Sequence, residues 1–508
     1  MAAFDPGTVT VNLDSTFRKP SGIDAETNSD GEAKVTRDFP PNTESVAELA
    51  AAKDADYDHD GAAELWRRVL MMQEAEYGEK SVETLETLGR LGAALEAGGS
   101  YEASISTYQR ALSIEETTHG VESVHVVGTL QDLVDVNRTR GDYDEAVAIA
   151  RRMLKIHERA HDGDAHPDAA SAAELLSSCL EDAGELDQAE LFLEYALDIR
   201  QTHAAEHKKK AARGGRGGGG DGDDDGDNDD DDQDGHFEAL AGCLESLGRV
   251  LQAKGEFAAA EGKLRGGLVL AEAGLGGDHD ATVSLVAALA SVLEDKGEYA
   301  EALTLARRVV GARETARGPR SSEALVASTT LAGILEASGD GAGAEDLLRR
   351  VLAAEEANAE EAAEVGGGSD LLDACSTMTI LAAVLEDAGK SGEAVELLRR
   401  ALAVTEDALG PSHPDVAEAL VRLSDSLRHA CKPAKGRGKS HSKGDSRGDG
   451  KGDEGGAAAA GVSGTSGGDL AAEAKELRQR ARDIQRELAA ADSSDGDEWS
   501  SDGDEREL

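Results

Sequence analysis

The feature that most constrains this chain is that it repeats itself. The segments GGSYEASISTYQRAL, GDYDEAVAIARRML, GELDQAELFLEYAL, GEFAAAEGKLRGGL, GEYAEALTLARRVV, GDGAGAEDLLRRVL and GKSGEAVELLRRAL are versions of one unit. Its reference point, an aromatic residue or the residue in that place, falls at Tyr101, Tyr143, Leu186, Phe257, Tyr299, Gly341 and Ser391, with a degenerate earlier copy at His59. The steps from His59 onward are 42, 42, 43, 71, 42, 42 and 50 residues, and the long ones contain visible insertions. A repeat of this length is one supersecondary unit that must stack on its neighbours to bury a core.

The repeated positions follow from that need. Three residues past the reference stands Ala in seven copies of eight: Ala62, Ala146, Ala189, Ala260, Ala302, Ala344 and Ala394. A small side chain there lets a neighbouring helix approach closely. Ten before the reference stands Leu every time, at Leu49, Leu91, Leu133, Leu176, Leu247, Leu289, Leu331 and Leu381, and Leu423 continues the series. Two before it stands Gly in seven copies, which is a helix-ending signal because Gly tolerates positive φ. Around the leucines the apolar spacing is helical, as in Leu85, Leu88, Leu91 and Leu95. Each unit therefore reads as helix A, a Gly turn, helix B and a short link, and the fold class is an all-α solenoid.

These residues resemble the tetratricopeptide repeat: the helix A leucine, the small residue opening helix B, and the small/aliphatic pair near its end. The 42-residue spacing and the motif HPDV (His413 to Val416), echoed by His166-Pro167-Asp168 and His279-Asp280, are similar to the kinesin light chain type. The resemblance covers roughly residues 43 to 431 and implies a right-handed superhelix of about 8–9 repeats with disordered insertions. It also implies a protein-interaction role, with a kinesin light chain-like cargo adaptor as the alternative. That alternative is weakened because residues 1–42 carry no heptad run to pair with a heavy chain.

The domain organisation follows. Residues 1–42 read as unstructured, 43–202 as repeats 1–4, and 236–431 as repeats 5–8 plus helix A of a ninth. Residues 203–235, with ten aspartates between Asp221 and Asp234, cannot bury a core and read as a disordered insertion, basic and then Asp/Gly-rich. Residues 432–468 read as a second, basic Gly/Ser-rich insertion, and 492–508 as an acidic tail. Between these, 469–491 reads as an amphipathic helix. With Ala471 as reference, Ala474 and Ala481 take the two small positions, which makes it helix B of the ninth repeat; an independent helix is the other reading.

Composition narrows the partners. The chain has 52 Lys+Arg against 102 Asp+Glu, a net charge of −50 over 508 residues. The four segments expected to be disordered supply −13 of this, so −37 belongs to the repeats. A folded surface this acidic is a poor match for nucleic-acid phosphates. No apolar run reaches the 18 or so residues that cross a bilayer. No secretory signal is read at the N-terminus, and Cys179, Cys243, Cys375 and Cys431 lie too far apart for a metal or disulfide framework. The cytoplasm is the expected compartment, with cytoskeletal association left open.

Little chemistry is legible. His157-Glu158-Arg159-Ala160-His161 matches HExxH, a zinc metalloprotease motif. It falls in the last turns of helix B, where His119 holds the same repeat offset as His161, and no suitable third-ligand context follows, although His166 and Asp168 are near. Coincidence is the favoured reading, a zinc-dependent hydrolase the remote one. No catalytic residue, cofactor or metal is expected. The paired arginines of helix B, such as Arg151-Arg152 and Arg399-Arg400, read as ion-pair partners for neighbouring Glu.

The resemblance places a peptide groove along helix A. At the offsets it implies, the chain carries Glu96, Asp135, Glu174, Glu181, Asp182, Glu245, Glu294, Asp295, Glu336, Glu386 and Asp387. Twelve before the reference, where kinesin light chain-like repeats usually hold Asn, there is none, with Thr329 and Thr379 among the residues present. Acidic peptides need Lys, Arg and Asn in such a groove. The expected ligand is therefore a basic or weakly charged peptide, and the chain's own basic insertion (Lys432 to Arg447) is a candidate pseudo-ligand. A solvated helix face is the competing reading of these carboxylates. Trp499 in DEWSSD resembles the tryptophan-acidic cargo motif that kinesin light chains bind, with Ser500 and Ser501 where acids belong.

Overall fold

The computed structural model describes residues 25–27, 33–35, 43–55, 58–161, 166–214, 229–365, 371–430 and 467–494. Eighteen α-helices among them run in A/B order. They are α1 (Thr43–Ala55) and α2 (His59–Tyr77), α3 (Leu85–Ala97) and α4 (Tyr101–His119), α5 (Val127–Arg140) and α6 (Tyr143–Ala160), α7 (Pro167–Asp182) and α8 (Leu186–Gly214). Then follow α9 (Asp229–Ala253), α10 (Phe257–Gly274), α11 (Asp280–Asp295), α12 (Tyr299–Arg317), α13 (Ser322–Ala337) and α14 (Gly341–Val365). The last are α15 (Leu371–Asp387), α16 (Ser391–Leu409), α17 (Pro414–Ala430) and α18 (Gly467–Ser494). The chain divides into two compact units, Met1–Lys254 and Gly255–Leu508. Within each, a helix packs chiefly on the helices next to it in sequence, as a solenoid requires.

Local chemistry sets the helix ends. Gly99, Gly141, Gly184, Gly255, Gly297, Gly339 and Gly389 all have positive φ, so the turn between helices A and B uses a conformation costly to any residue with a Cβ. The His-Pro-Asp motif is a helix start. The Nδ1 atoms of His166 and His413 accept hydrogen bonds from the backbone N–H of Asp168 (3.3 Å) and Asp415 (3.2 Å), and His279 does the same for Ala281. The imidazole satisfies one of the orphan amides that Ser or Asp caps elsewhere.

The core is the repeat made solid. Ala62, Ala146, Ala189, Ala260, Ala302, Ala344 and Ala394 are completely enclosed. In the one exceptional copy, Ser104 is equally buried and its hydroxyl donates to the Gly92 carbonyl at 2.8 Å. Leu91, Leu133, Leu176, Leu247, Leu289, Leu331, Leu381 and Leu423 are buried; Leu49 is 43% exposed, because the described chain supplies no helix ahead of α1 to cover it.

Several boundaries differ from the expectations. Helix α8 continues to Gly214 and α9 starts at Asp229, so both ends of the 203–235 insertion are helical. The run HAAEHKKKAAR is rich in helix formers. Two strands, β1 (Ala25–Thr27) and β2 (Ala33–Val35), pair antiparallel inside the segment expected to be unstructured. The division into units falls in the turn of the fifth repeat, not at the insertion. The basic run Lys432 to Arg447 and the Trp499 motif lie outside the described residues.

Candidate peptide-binding face

Two arginine ladders stitch consecutive repeats. The arginine in the tenth place of helix B reaches back to a Glu of the preceding helix B: Arg110 to Glu74, Arg152 to Glu116 (2.6 Å), Arg308 to Glu272 (2.7 Å) and Arg400 to Glu356 (2.7 Å). Arg110, Arg152 and Arg308 also donate to a backbone carbonyl in the preceding link, at Glu79, Val121 and Gly277. The arginine one residue earlier reaches forward, as in Arg349 to Glu393 (2.7 Å) and Arg265 to Glu301 (2.9 Å). Helix α18 continues both ladders: Arg399 meets Glu473 at 2.7 Å and Arg480 meets Glu406 at 2.5 Å. Its Ala474 and Ala481 are enclosed, and it packs on α17.

The helix A glutamates are half-buried. In the first unit, Glu96 of α3 lies among Asp132 and Asp135 of α5. Burial, then Asp135 and Asp132, hold its carboxyl above the usual range, and burial, then Asp135 and Glu115, does the same to Asp132. Gln131 donates to Asp135. Further along, arginines cross the acidic line: Arg138 pairs with Asp182 (2.7 Å), Arg200 with Glu174 (2.6 Å) and Arg249 with Glu181 (3.4 Å). Burial raises Glu181 and Glu245 against the opposing charge of Arg249.

The second unit is less compensated. Burial, then Asp295, raises Glu294; burial, then Asp387, raises Glu336. Glu386 is half-buried, and Asp295 and Asp387 are exposed. Among the described residues no Lys or Arg forms an ion pair with Glu294, Glu336, Glu386 or Asp387.

This unit also holds a cleft of about 830 Å³ between α13, α14 and α15. Val326, Thr329 and Gly333 of α13 line it, and they occupy the offsets at which the groove was expected. Sequence reasoning missed a buried acid in its lining, Glu355 of α14. That side chain is 91% buried; its Oε1 accepts from the Thr377 hydroxyl at 3.0 Å, while Oε2 has no partner. Burial is the main cause that raises its carboxyl, and Asp373 and Glu356 add to it. Asp373, Ser376, Thr377 and Ile380 of α15 close the other wall. No sequence signal marks Glu355, since its counterparts in α12 and α16 are Arg313 and Thr405.

The HExxH residues separate. Glu158 accepts a hydrogen bond from Tyr195 of α8 at 3.1 Å, whereas His157 and His161 face Asp168 of α7.

Three family models, each described as a tetratricopeptide repeat, match the chain, at residues 126–202 and 373–435, at 282–323 and at 85–118. Over these residues the chain carries tetratricopeptide repeats. Its 42-residue unit resembles the kinesin light chain type. A comparison with curated proteins finds no match. Solved structures similar to it include the TPR-like repeats assigned to a kinesin light chain of Podosopora anserina (20% identity, TM-score 0.36, covering 50% of this chain and 98% of that one). BtubC (BKLC) from P. vanneervenii gives 15% identity and a TM-score of 0.39, covering 61% and 99%. A tetratricopeptide repeat protein from Parabacteroides merdae gives 12% and 0.40, covering 67% and 99%. Among the described residues no helix is long and apolar enough to cross a membrane.

Proposed function

We propose that the chain is a non-catalytic interaction scaffold that holds basic or weakly charged peptide segments on its helix A faces. The observation that carries this is the cleft of the second unit. A carboxylate with an unsatisfied oxygen lines it together with hydroxyls and the exposed Val326, and the one cation in the lining, Arg320, is already paired with Glu361. A buried acceptor without a partner is costly, and a lysine or arginine side chain from a peptide would satisfy it. The hydrolase reading loses support because Glu158, the would-be general base, is engaged by Tyr195.

The test is fluorescence anisotropy of the full chain with a lysine-rich peptide, its lysine-acetylated counterpart and an acidic peptide, each at low and high salt. The lysine-rich peptide should bind best and weaken with salt. Glu355→Gln should cost it about tenfold in affinity, in line with loss of one charge-assisted hydrogen bond. Preference for the acidic peptide would overturn the proposal. The basic segment 432–468 is the intramolecular competitor, so deleting it should raise affinity for the same peptide. A kinesin light chain-like adaptor is the second reading, favoured by the 42-residue unit; co-sedimentation with a kinesin heavy chain tests it.

A further inference from the structure

The junction between the third and fourth repeats holds a cluster that the peptide-binding reading does not use. His157 lies in the last turn of α6, and His161, four residues on, is the residue that caps its C-terminus. Asp168 stands in the first turn of α7. Its Oδ2 is 3.9 Å from His157 Nδ1 and 3.6 Å from His161 Nε2, and one ligand atom from each of the three residues lies within 4.8 Å of the others. Among the described residues no other group of three or more His, Cys, Asp or Glu side chains meets this geometry.

A second observation points to a ligand. His157 is 92% buried, and its Nδ1, the atom that faces Asp168, has no hydrogen-bond partner. An orphaned buried nitrogen is uncommon in a settled interior. His161 is fixed by stacking on His166, with ring centroids 3.5 Å apart and planes within 4°. His166 is itself held by capping α7.

The repeat itself supplies the contrast. At the register positions of His161 and Asp168, the junction after the sixth repeat has Arg317 and Glu323, joined as an ion pair. A guanidinium closes such a junction by charge and cannot bind a metal. An imidazole in its place can.

We propose that His157, His161 and Asp168 together bind one zinc(II) ion, which clasps the end of α6 to the start of α7. Two imidazoles and a carboxylate suit zinc, and ligand bonds of about 2.0–2.2 Å in a tetrahedral shell put donor atoms about 3.4 Å apart. Asp168 needs to close on each imidazole by a few tenths of an ångström, and the two imidazoles, within 4.8 Å of each other, by up to about 1.4 Å. Three protein ligands leave one position open. Because Glu158 is turned to Tyr195, the site is structural, and its metal steadies the repeat junction.

The test uses the full chain, stripped with chelator and kept in excess magnesium so that the aspartate run 221–234 is occupied. Cobalt(II) is titrated in and displaced with zinc. One cobalt per chain with the strong visible absorption of a tetrahedral site is expected, lost on adding one equivalent of zinc. His161→Ala and Asp168→Asn should each weaken binding at least about tenfold. Circular dichroism should show both variants folded, since neither side chain is buried. Zinc should raise the thermal midpoint of the parent chain and leave that of His161→Ala unmoved. Equal binding by the parent and the two variants, or only weak octahedral cobalt absorption, would overturn the proposal.

Discussion

One pair of residues shows how this fold is specified. Gly92 of α3 sits against Tyr108 of α4, and a Cβ built on Gly92 would come within 2.6 Å of the ring. The ring is 97% buried and has no room to swing away. Two later repeats solve the same contact the other way round, with Ala332 facing Leu348 and Ala382 facing Leu398 at the equivalent positions, all four buried. Replacing a helical Gly by Ala ordinarily gains about 1 kcal/mol. Here overpacking costs about 1–3 kcal/mol, so steric conflict wins. Gly92→Ala should lower stability by about 1 kcal/mol, read as a lower urea midpoint at unchanged slope. The double variant Gly92→Ala/Tyr108→Leu, which copies the later repeats, should recover most of the loss. If Gly92→Ala alone proves stabilising, the contact is softer than its geometry implies.

The helices were largely legible because each is written eight times over. Counting from Ala471 put Ala474 and Ala481 in the small positions of a ninth helix B, and both are enclosed in α18. That register also places Arg480 where Arg400, Arg308 and Arg152 stand, each meeting a Glu of the preceding repeat. The clasp residues were only half readable: HExxH was visible as a motif, but Asp168 joins it through the packing of α7 on α6. Glu355 was not readable, because its position varies freely between copies (Glu115, His157, Arg200, Ala271, Arg313, Thr405) and only the third dimension sets its burial. Helix α18 yields a direct prediction. Arg480 is 42% exposed at its side chain, so its pair with Glu406 is worth about 0.2–1 kcal/mol. Ala474→Leu, at a site with no free space, should cost about 1–3 kcal/mol. Limited proteolysis should therefore release residues beyond 467 readily from Ala474→Leu, slightly faster than parent from Arg480→Ala, and slowly from the parent chain. Equal rates for all three would mean that α18 is not docked in the ninth register.

At the scale of the whole molecule, the charge of −50 has two populations of carboxylates that answer pH in opposite directions. Glu96, Asp132, Glu294 and Glu336 are held above the usual range, burial being the first cause in each and a neighbouring carboxylate the next. Folding raises their proton affinity, so the folded chain binds more protons than the unfolded one between the ordinary carboxylate range and their raised values. Stability must then rise as pH falls through that interval. Glu261 and Glu345 behave the other way, held low by Lys296 with Arg265 and by Lys390 with Arg349. Their contribution is complete above the ordinary Glu value and is lost only as pH falls below it. The two windows lie on opposite sides of the ordinary carboxylate range, so the urea midpoint should climb as pH falls from neutral toward that range and fall again below it. Glu96→Gln with Asp132→Asn, and separately Glu294→Gln with Glu336→Gln, should raise the midpoint at pH 7.5 and flatten the climb, while the acid limb stays where it was. A parent chain whose midpoint declines steadily from pH 7.5 downward would mean that the exposed pairs outweigh the buried row. The acidic face would then be a solvated surface with no stored repulsion for a basic ligand to relieve.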